Sequence, residues 1–202
     1  MRALIINCTL KPSPSDSNTA ALASVVEQAL RDRGVDVDTV RAVDHRILPG
    51  VEDDMGNGDQ WPDIREKVLA SDILVMATPT WLGQHSSVAQ RVLERLDALI
   101  SQTDDHGTYV AYNKVAGVVV TGNEDGAHHV ISQIAGALID IGFTVPGQAW
   151  TYWNMGPGPG PSYTETDHRH EWSASTGRQA AANLVAVAAA LQGRVMDVVD
   201  KE

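Results

Sequence analysis

Along the chain, short unbroken apolar runs alternate with longer stretches of helical spacing. The run from Ala3 to Cys8 has no polar alternation and contains β-branched residues, which predicts a strand covered on both faces. Asn18 to Arg33 then places Leu22, Val25, Val26, Ala29 and Leu30 on one face ahead of Gly34, the pattern of an amphipathic helix and its stop. Val35 to Val40 predicts a second strand. The Gly-, Asp- and Pro-rich piece from Asp44 to Asp59 predicts a loop, and Pro62 to Ala70 a helix with proline in its first turn. Ile73 to Ala77 and Val115 to Val120 repeat the buried-strand pattern. Ser86 to Gln102 carries Val88, Val92, Leu96 and Leu99 on one stripe, and Ala127 to Ile141 carries Val130, Ile134, Leu138 and Ile141 before Gly142. Thr144 to Trp150 predicts a shorter fifth strand, Thr151 to Glu171 a long irregular loop, and Ser173 to Leu191 a final Ala-rich helix.

Five strands alternating with five helices predict an α/β fold, a doubly wound five-stranded parallel sheet with helices on both faces. Among the right-handed topologies, the flavodoxin-like order 2-1-3-4-5 is the expectation. Ligands of such sheets bind outside the carboxyl ends of the strands, near the switch in strand order. With 202 residues and no internal linker, residues 1–202 are expected to form one domain, with a Gly/Pro-rich loop at about 151–171.

Composition narrows the function. A hydrophobic fraction of 43% with 20% charged residues is that of a globular protein, and no apolar run reaches the ~18 residues of a membrane helix. The start, Met1-Arg2-Ala3-Leu4, has no basic segment ahead of a cleavable apolar stretch. The single cysteine, Cys8, has no internal partner for a disulfide, which fits a reducing compartment. A cytoplasmic protein with no membrane partner is expected. The net charge of −11 opposes nucleic-acid binding, which rests on basic side chains neutralising phosphates. One small anion can still be held by backbone amides.

Three loops fall on the carboxyl edge of the predicted sheet. Thr9 to Thr19 is rich in hydroxyls, with Ser15, Ser17, Asn18 and Thr19 at a helix start and Lys11 as a cation. Unpaired amides, the helix dipole and hydroxyls there suit a terminal phosphate, and they suit a plain helix cap and turn equally well. The loop has neither the GxGxxG nor the GxxxxGK[ST] pattern, against a dinucleotide or triphosphate fingerprint. Pro79-Thr80-Trp81-Leu82-Gly83 follows the third strand and offers an aromatic face with a glycine for close approach. Thr121-Gly122-Asn123 follows the fourth and again exposes amides.

With these three loops in this order, residues 1 to about 150 resemble the flavodoxin-like NAD(P)H-dependent FMN reductases. The resemblance implies FMN as cofactor, NAD(P)H as transient electron donor and a small-molecule electron acceptor. It implies that Thr9, Lys11, Ser15, Ser17, Asn18 and Thr19 hold the FMN phosphate. It further implies that Pro79, Thr80, Trp81, Leu82 and Gly83 lie along the isoalloxazine and that Thr121, Gly122 and Asn123 close its other edge. Where the family often has Gly-Ser followed by Arg, this chain has Cys8-Thr9 followed by Lys11. An electron-carrier flavodoxin and a non-catalytic flavodoxin-like binding module remain as alternatives. No residue stands out as a catalytic acid or base.

Two other features stand apart. His128-His129 and His168-Arg169-His170 are read as surface groups rather than metal ligands, because adjacent helical residues diverge by about 100° and no Cys cluster or HExxH spacing accompanies them. The stretch from Trp150 to Tyr163 mixes aromatics with alternating Gly and Pro. It is expected to act as a lid bringing Trp153 or Tyr163 to the substrate, or as the contact of a homodimer or larger assembly.

Overall fold

In a computed structural model, residues 1–158, 160–193 and 196 are described. The strands are β1 (Arg2–Asn7), β2 (Asp36–Arg41), β3 (Ile73–Trp81), β4 (Gln84–His85), β5 (Val115–Gly122) and β6 (Trp150–Asn154). The helices are α1 (Asn18–Arg31), α2 (Trp61–Leu69), α3 (Ser87–Leu96), α4 (Ala127–Ile141) and α5 (His170–Gly193). The main sheet runs β2-β1-β3-β5-β6, with every neighbouring pair parallel. Setting aside the two-residue β4, which folds back antiparallel on the end of β3, this is the flavodoxin-like order 2-1-3-4-5.

Burial explains the strand patterns. In β1, β3 and β5 nearly every residue is buried, because helices cover both faces of the sheet centre. The edges are less buried: on β2 only Val37 and Val40 are buried, one in the core on each face, while on β6 burial alternates with Thr151 and Trp153 inward. Leu22, Val26 and Leu30 of α1 join Ala181 and Leu184 of α5 in the core on one face. Trp61 and Ile64 of α2, Val92 and Leu96 of α3, and Val130 and Ile134 of α4 fill the other.

Several element bounds need correction. The fifth main strand is Trp150–Asn154, not Thr144 to Trp150. Of the expected segment, Thr144 makes only an isolated bridge to Val115, after which the amide of Ala149 turns back on the carbonyl of Pro146. Proline cannot donate to a ladder, so pairing resumes only past this turn. The irregular stretch consequently begins after Asn154 rather than at Thr151. The last helix starts at His170, three residues ahead of the expected Ser173.

The loop between β2 and α2 is held from below by a buried arginine, Arg95. The side chains of Arg95 and Asp59 are both fully buried, with Nη1 of Arg95 2.6 Å from Oδ2 of Asp59. The same guanidinium donates to the carbonyls of Leu48 at 2.9 Å and Glu52 at 2.7 Å, and it lies 5.6 Å from the ring of Trp61.

Candidate functional site

The amide of Cys8 still pairs with the carbonyl of Ala77 at 2.7 Å, and the chain then leaves the sheet as a loop tied from both sides. Inside, Oδ1 of Asn7 accepts the amide of Thr9 at 3.1 Å, and Oγ1 of Thr9 accepts that of Lys11 at 3.3 Å. Outside, the Asp44 carboxylate accepts the amide and hydroxyl of Ser13 at 2.8 and 2.6 Å. Those two bonds hold the Asp44 carboxyl below its ordinary value. Arg41, at the end of β2, donates to the carbonyl of Ser15 at 2.8 Å. The loop thus reaches α1 tied to the end of β2 and to the turn that follows it.

At the helix start, Ser17 is the N-cap, its hydroxyl accepting the amide of Ala20 at 3.0 Å. The amides of Asp16, Ser17, Asn18 and Thr19 are donors in none of the bonds found among the described residues. They stand at the positive end of a helix of 14 residues, an arrangement suited to an anion.

The second wall is the β3–β4 hairpin. Trp81 pairs with Gln84, leaving Leu82 and Gly83 as a two-residue turn with φ of 52° and 74°, values that fit a type I′ turn. Leu82 is 90% exposed and Trp81 53%. The third wall is the turn after β5. The hydroxyls of Thr121 and Thr19 lie 2.8 Å apart, which joins the turn to α1. A Cβ added at Gly122 would come within 2.9 Å of the Thr80 Cβ, and one at Gly126 within 2.8 Å of the Gly83 Cα. Glycine at these two positions lets the turn pack directly on the hairpin.

A strap closes the fourth side. Asn123 donates to the carbonyl of Gly160 at 3.0 Å, and Oδ1 of Asn18 accepts both the amide and the hydroxyl of Thr164, at 2.9 and 2.8 Å. Between these anchors a capping box joins Ser162 and Glu165, a pairing legible in the sequence as S-x-x-E. Trp153 lies beneath the strap as a buried residue, its indole donating to the carbonyl of His168 at 2.6 Å and its ring 5.4 Å from that of Tyr163.

The four walls enclose a cavity of about 140 Å³. Of the residues expected at a flavin, Thr9, Lys11, Asn18, Thr19, Pro79, Thr80, Trp81, Thr121, Gly122 and Asn123 line it together, joined by Leu10, Trp153, Ser162 and Tyr163. Ser15, Ser17, Leu82 and Gly83 do not line it. Ser15 faces solvent, Ser17 is used as the helix cap, and Leu82 and Gly83 form the tip of the hairpin. Leu10 and Ser162 escaped the sequence reading; the S-x-x-E box was the available signal for the latter. Burial pushes the Tyr163 phenol up, so it stays neutral at the cavity wall. Burial likewise raises the Cys8 thiol, which keeps it protonated and unreactive.

A family model described as NADPH-dependent FMN reductase matches residues 1–157. The chain belongs to this family. The cofactor of these FMN reductases is a flavin, and the cavity fits one in two respects. Oγ1 of Thr80 is buried in its wall without a partner among the described residues, and Gly122 keeps side-chain bulk out of the wall. Among solved structures, RosB with bound intermediate 8-demethyl-8-formylriboflavin-5′-phosphate superposes with a TM-score of 0.88 at 37% identity, covering 96% of this chain and 81% of that one. An 8-demethyl-8-aminoriboflavin-5′-phosphate synthase of Streptomyces davaonensis is 38% identical over 78% of this chain. A protein of Mycobacterium bovis named divalent metal cation transporter MntH is 44% identical, also over 78% of this chain. The chain spans 64% of the length of the synthase and 24% of the transporter. No helix among the described residues is long and apolar enough to cross a membrane.

Proposed function

We propose that the protein is a flavin-dependent oxidoreductase that moves a hydride from NAD(P)H to a small acceptor, such as a quinone or a free flavin, with FMN held in this cleft. The observation that carries the reading is the row of unengaged amides at the start of α1, opening into a cleft bounded by the hairpin and the turn after β5. Those amides and the positive end of α1 hold the phosphate, with Lys11 adding a cation. Thr19 is kept in place by Thr121. The backbone of Thr80 and Trp81 runs along the ring edge, where its amides can favour negative charge on that edge. Trp81 covers one ring face, and Gly122 lets backbone approach the other edge. When bound, the flavin supplies the hydride-accepting chemistry itself. The cavity of about 140 Å³ is below the ~300–1,000 Å³ usual for drug-sized ligands. Part of the ring therefore lies open, where a nicotinamide can stack.

An absorption spectrum tests this. Protein mixed with FMN is expected to retain a flavin band after gel filtration, and the band is expected to bleach on anaerobic addition of NADPH. Retention without bleaching would leave a flavin protein but remove the reductase.

A second reading has support of its own, since the TM-score of 0.88 is to a protein holding a formylriboflavin phosphate. In it, the flavin phosphate is the substrate and is changed at the ring's methyl position. Mass spectrometry of the flavin after turnover separates the two: an unchanged mass with NADPH consumed supports the reductase, and an altered mass supports the second reading.

A further inference from the structure

Beside the flavin cleft, on the outer edge of the sheet, lies a second cavity of about 250 Å³ lined by Tyr152, Trp153, Asn154, Arg169 and Trp172. It forms where the first turn of α5 passes the edge strand β6. Its walls are aromatic: the rings of Tyr152 and Trp172 meet edge to face at 4.9 Å, and Trp150 and His128 continue the cluster at 5.8 and 5.0 Å from Tyr152. Trp153 also lines the flavin cleft, so the two cavities share a wall.

Arg169 is the charged group of this cavity. Among the described residues it forms no ion pair, and its side chain makes no hydrogen bond. Arg169 is exposed to solvent, and two local preferences are set aside at its position. It precedes α5 directly, where the positive end of a helix disfavours a cation. Its backbone has φ of 56°, in the left-handed region that suits glycine or asparagine rather than a long side chain. Local preferences broken without local compensation point to a use. In a chain of net charge −11, an unpaired guanidinium over an aromatic cavity is complementary to an anion that also carries a flat ring.

We propose that this cavity is a second ligand site, taking a planar aromatic ring that bears a carboxylate or phosphate, with the ring against Tyr152 and Trp172 and the anion on Arg169. About 150 Å³ is enough for a benzene ring, so 250 Å³ leaves room for a ring and its anionic group. Two sources share this chemistry. One is the adenosine phosphate end of a nicotinamide dinucleotide whose other end reaches the flavin cleft, which rests on the reductase reading. The other is a separate small aromatic acid, which does not.

Calorimetric titration of the protein as purified, with 2′,5′-ADP and with benzoate as probes, decides. At least one probe is expected to bind, and Arg169→Gln and Trp172→Ala are each expected to weaken it tenfold or more. FMN affinity, measured in parallel as the check on folding, should stay within twofold. Binding of 2′,5′-ADP alone assigns the site to the nucleotide, and binding of benzoate alone to a separate acid. If neither probe binds at millimolar concentration, or if both variants bind as the parent does, the site is overturned. Loss of FMN binding in the parent would count against the proposed function and leave the titration result intact.

Discussion

Asp59 is a carboxylate with every bond directed at keeping it charged. Burial alone would raise its carboxyl, but the amides of Met55, Leu48 and Trp61 and the Arg95 guanidinium outweigh this and hold it at about 2. The folded value lies below the ~3.9 of a free aspartate. Its stabilisation is therefore complete above about pH 4 and is lost as pH falls through about 2. Acid unfolding followed by circular dichroism should show a transition in that window, and Asp59→Asn should flatten it. Arg95→Met leaves Asp59 buried without its counter-ion and is expected to cost about 3–5 kcal/mol in urea unfolding. Nothing in the sequence marked Arg95 as a core residue. Its carbonyl acceptors are 43 and 47 positions away, a pairing that periodicity does not report. By contrast Thr19, Thr80 and Gly122 were legible, since each stands where an apolar run gives way to a loop or a helix start.

At the scale of elements, α1 and the loop before it are held by contacts within the fold. Arg41 at the end of β2 and Asp44 in the turn after it fix the loop, so Asp44→Ala is expected to weaken FMN binding about fivefold to tenfold, while riboflavin binding changes little because it carries no phosphate. Fluorescence quenching titrations with both flavins check this, and equal losses would place the effect elsewhere than at the phosphate. Ser17 acts as helix cap, so Ser17→Ala is expected to cost about 1 kcal/mol of stability, read as a lower midpoint in thermal unfolding. Gly122→Ala forces a methyl to within 2.9 Å of Thr80. Either the turn or the hairpin has to give, and flavin affinity is expected to fall at least tenfold. The alternation of apolar runs and helical stripes was sufficient to locate these elements, because buried parallel strands are short, apolar and bounded by turn residues. It misplaced β6 because Pro146 and Gly147 interrupt an otherwise apolar stretch, and the aromatic alternation that follows belongs to an edge strand.

For the whole molecule, the absence of a dinucleotide fingerprint at the first loop predicts that donor and acceptor use one open flavin face in turn. Initial rates varied against both substrates should give parallel double-reciprocal lines, and intersecting lines would require a ternary complex. The exposed tip at Leu82 leads us to expect a homodimer or larger assembly, which sedimentation at micromolar concentration tests. The strap brings together parts that lie far apart in the sequence. Its anchors, Asn18 and Asn123, belong to the first turn of α1 and the turn after β5, and both line the cleft that it crosses. If FMN occupies the cleft as proposed, its release is expected to wait on both anchors letting go. With each hydrogen bond contributing about 1 kcal/mol, replacing both asparagines with alanine should speed FMN release by tenfold or more in a stopped-flow chase, with a smaller change in the rate of entry. On that expectation the strap bears on how long a flavin stays more than on how readily it is captured.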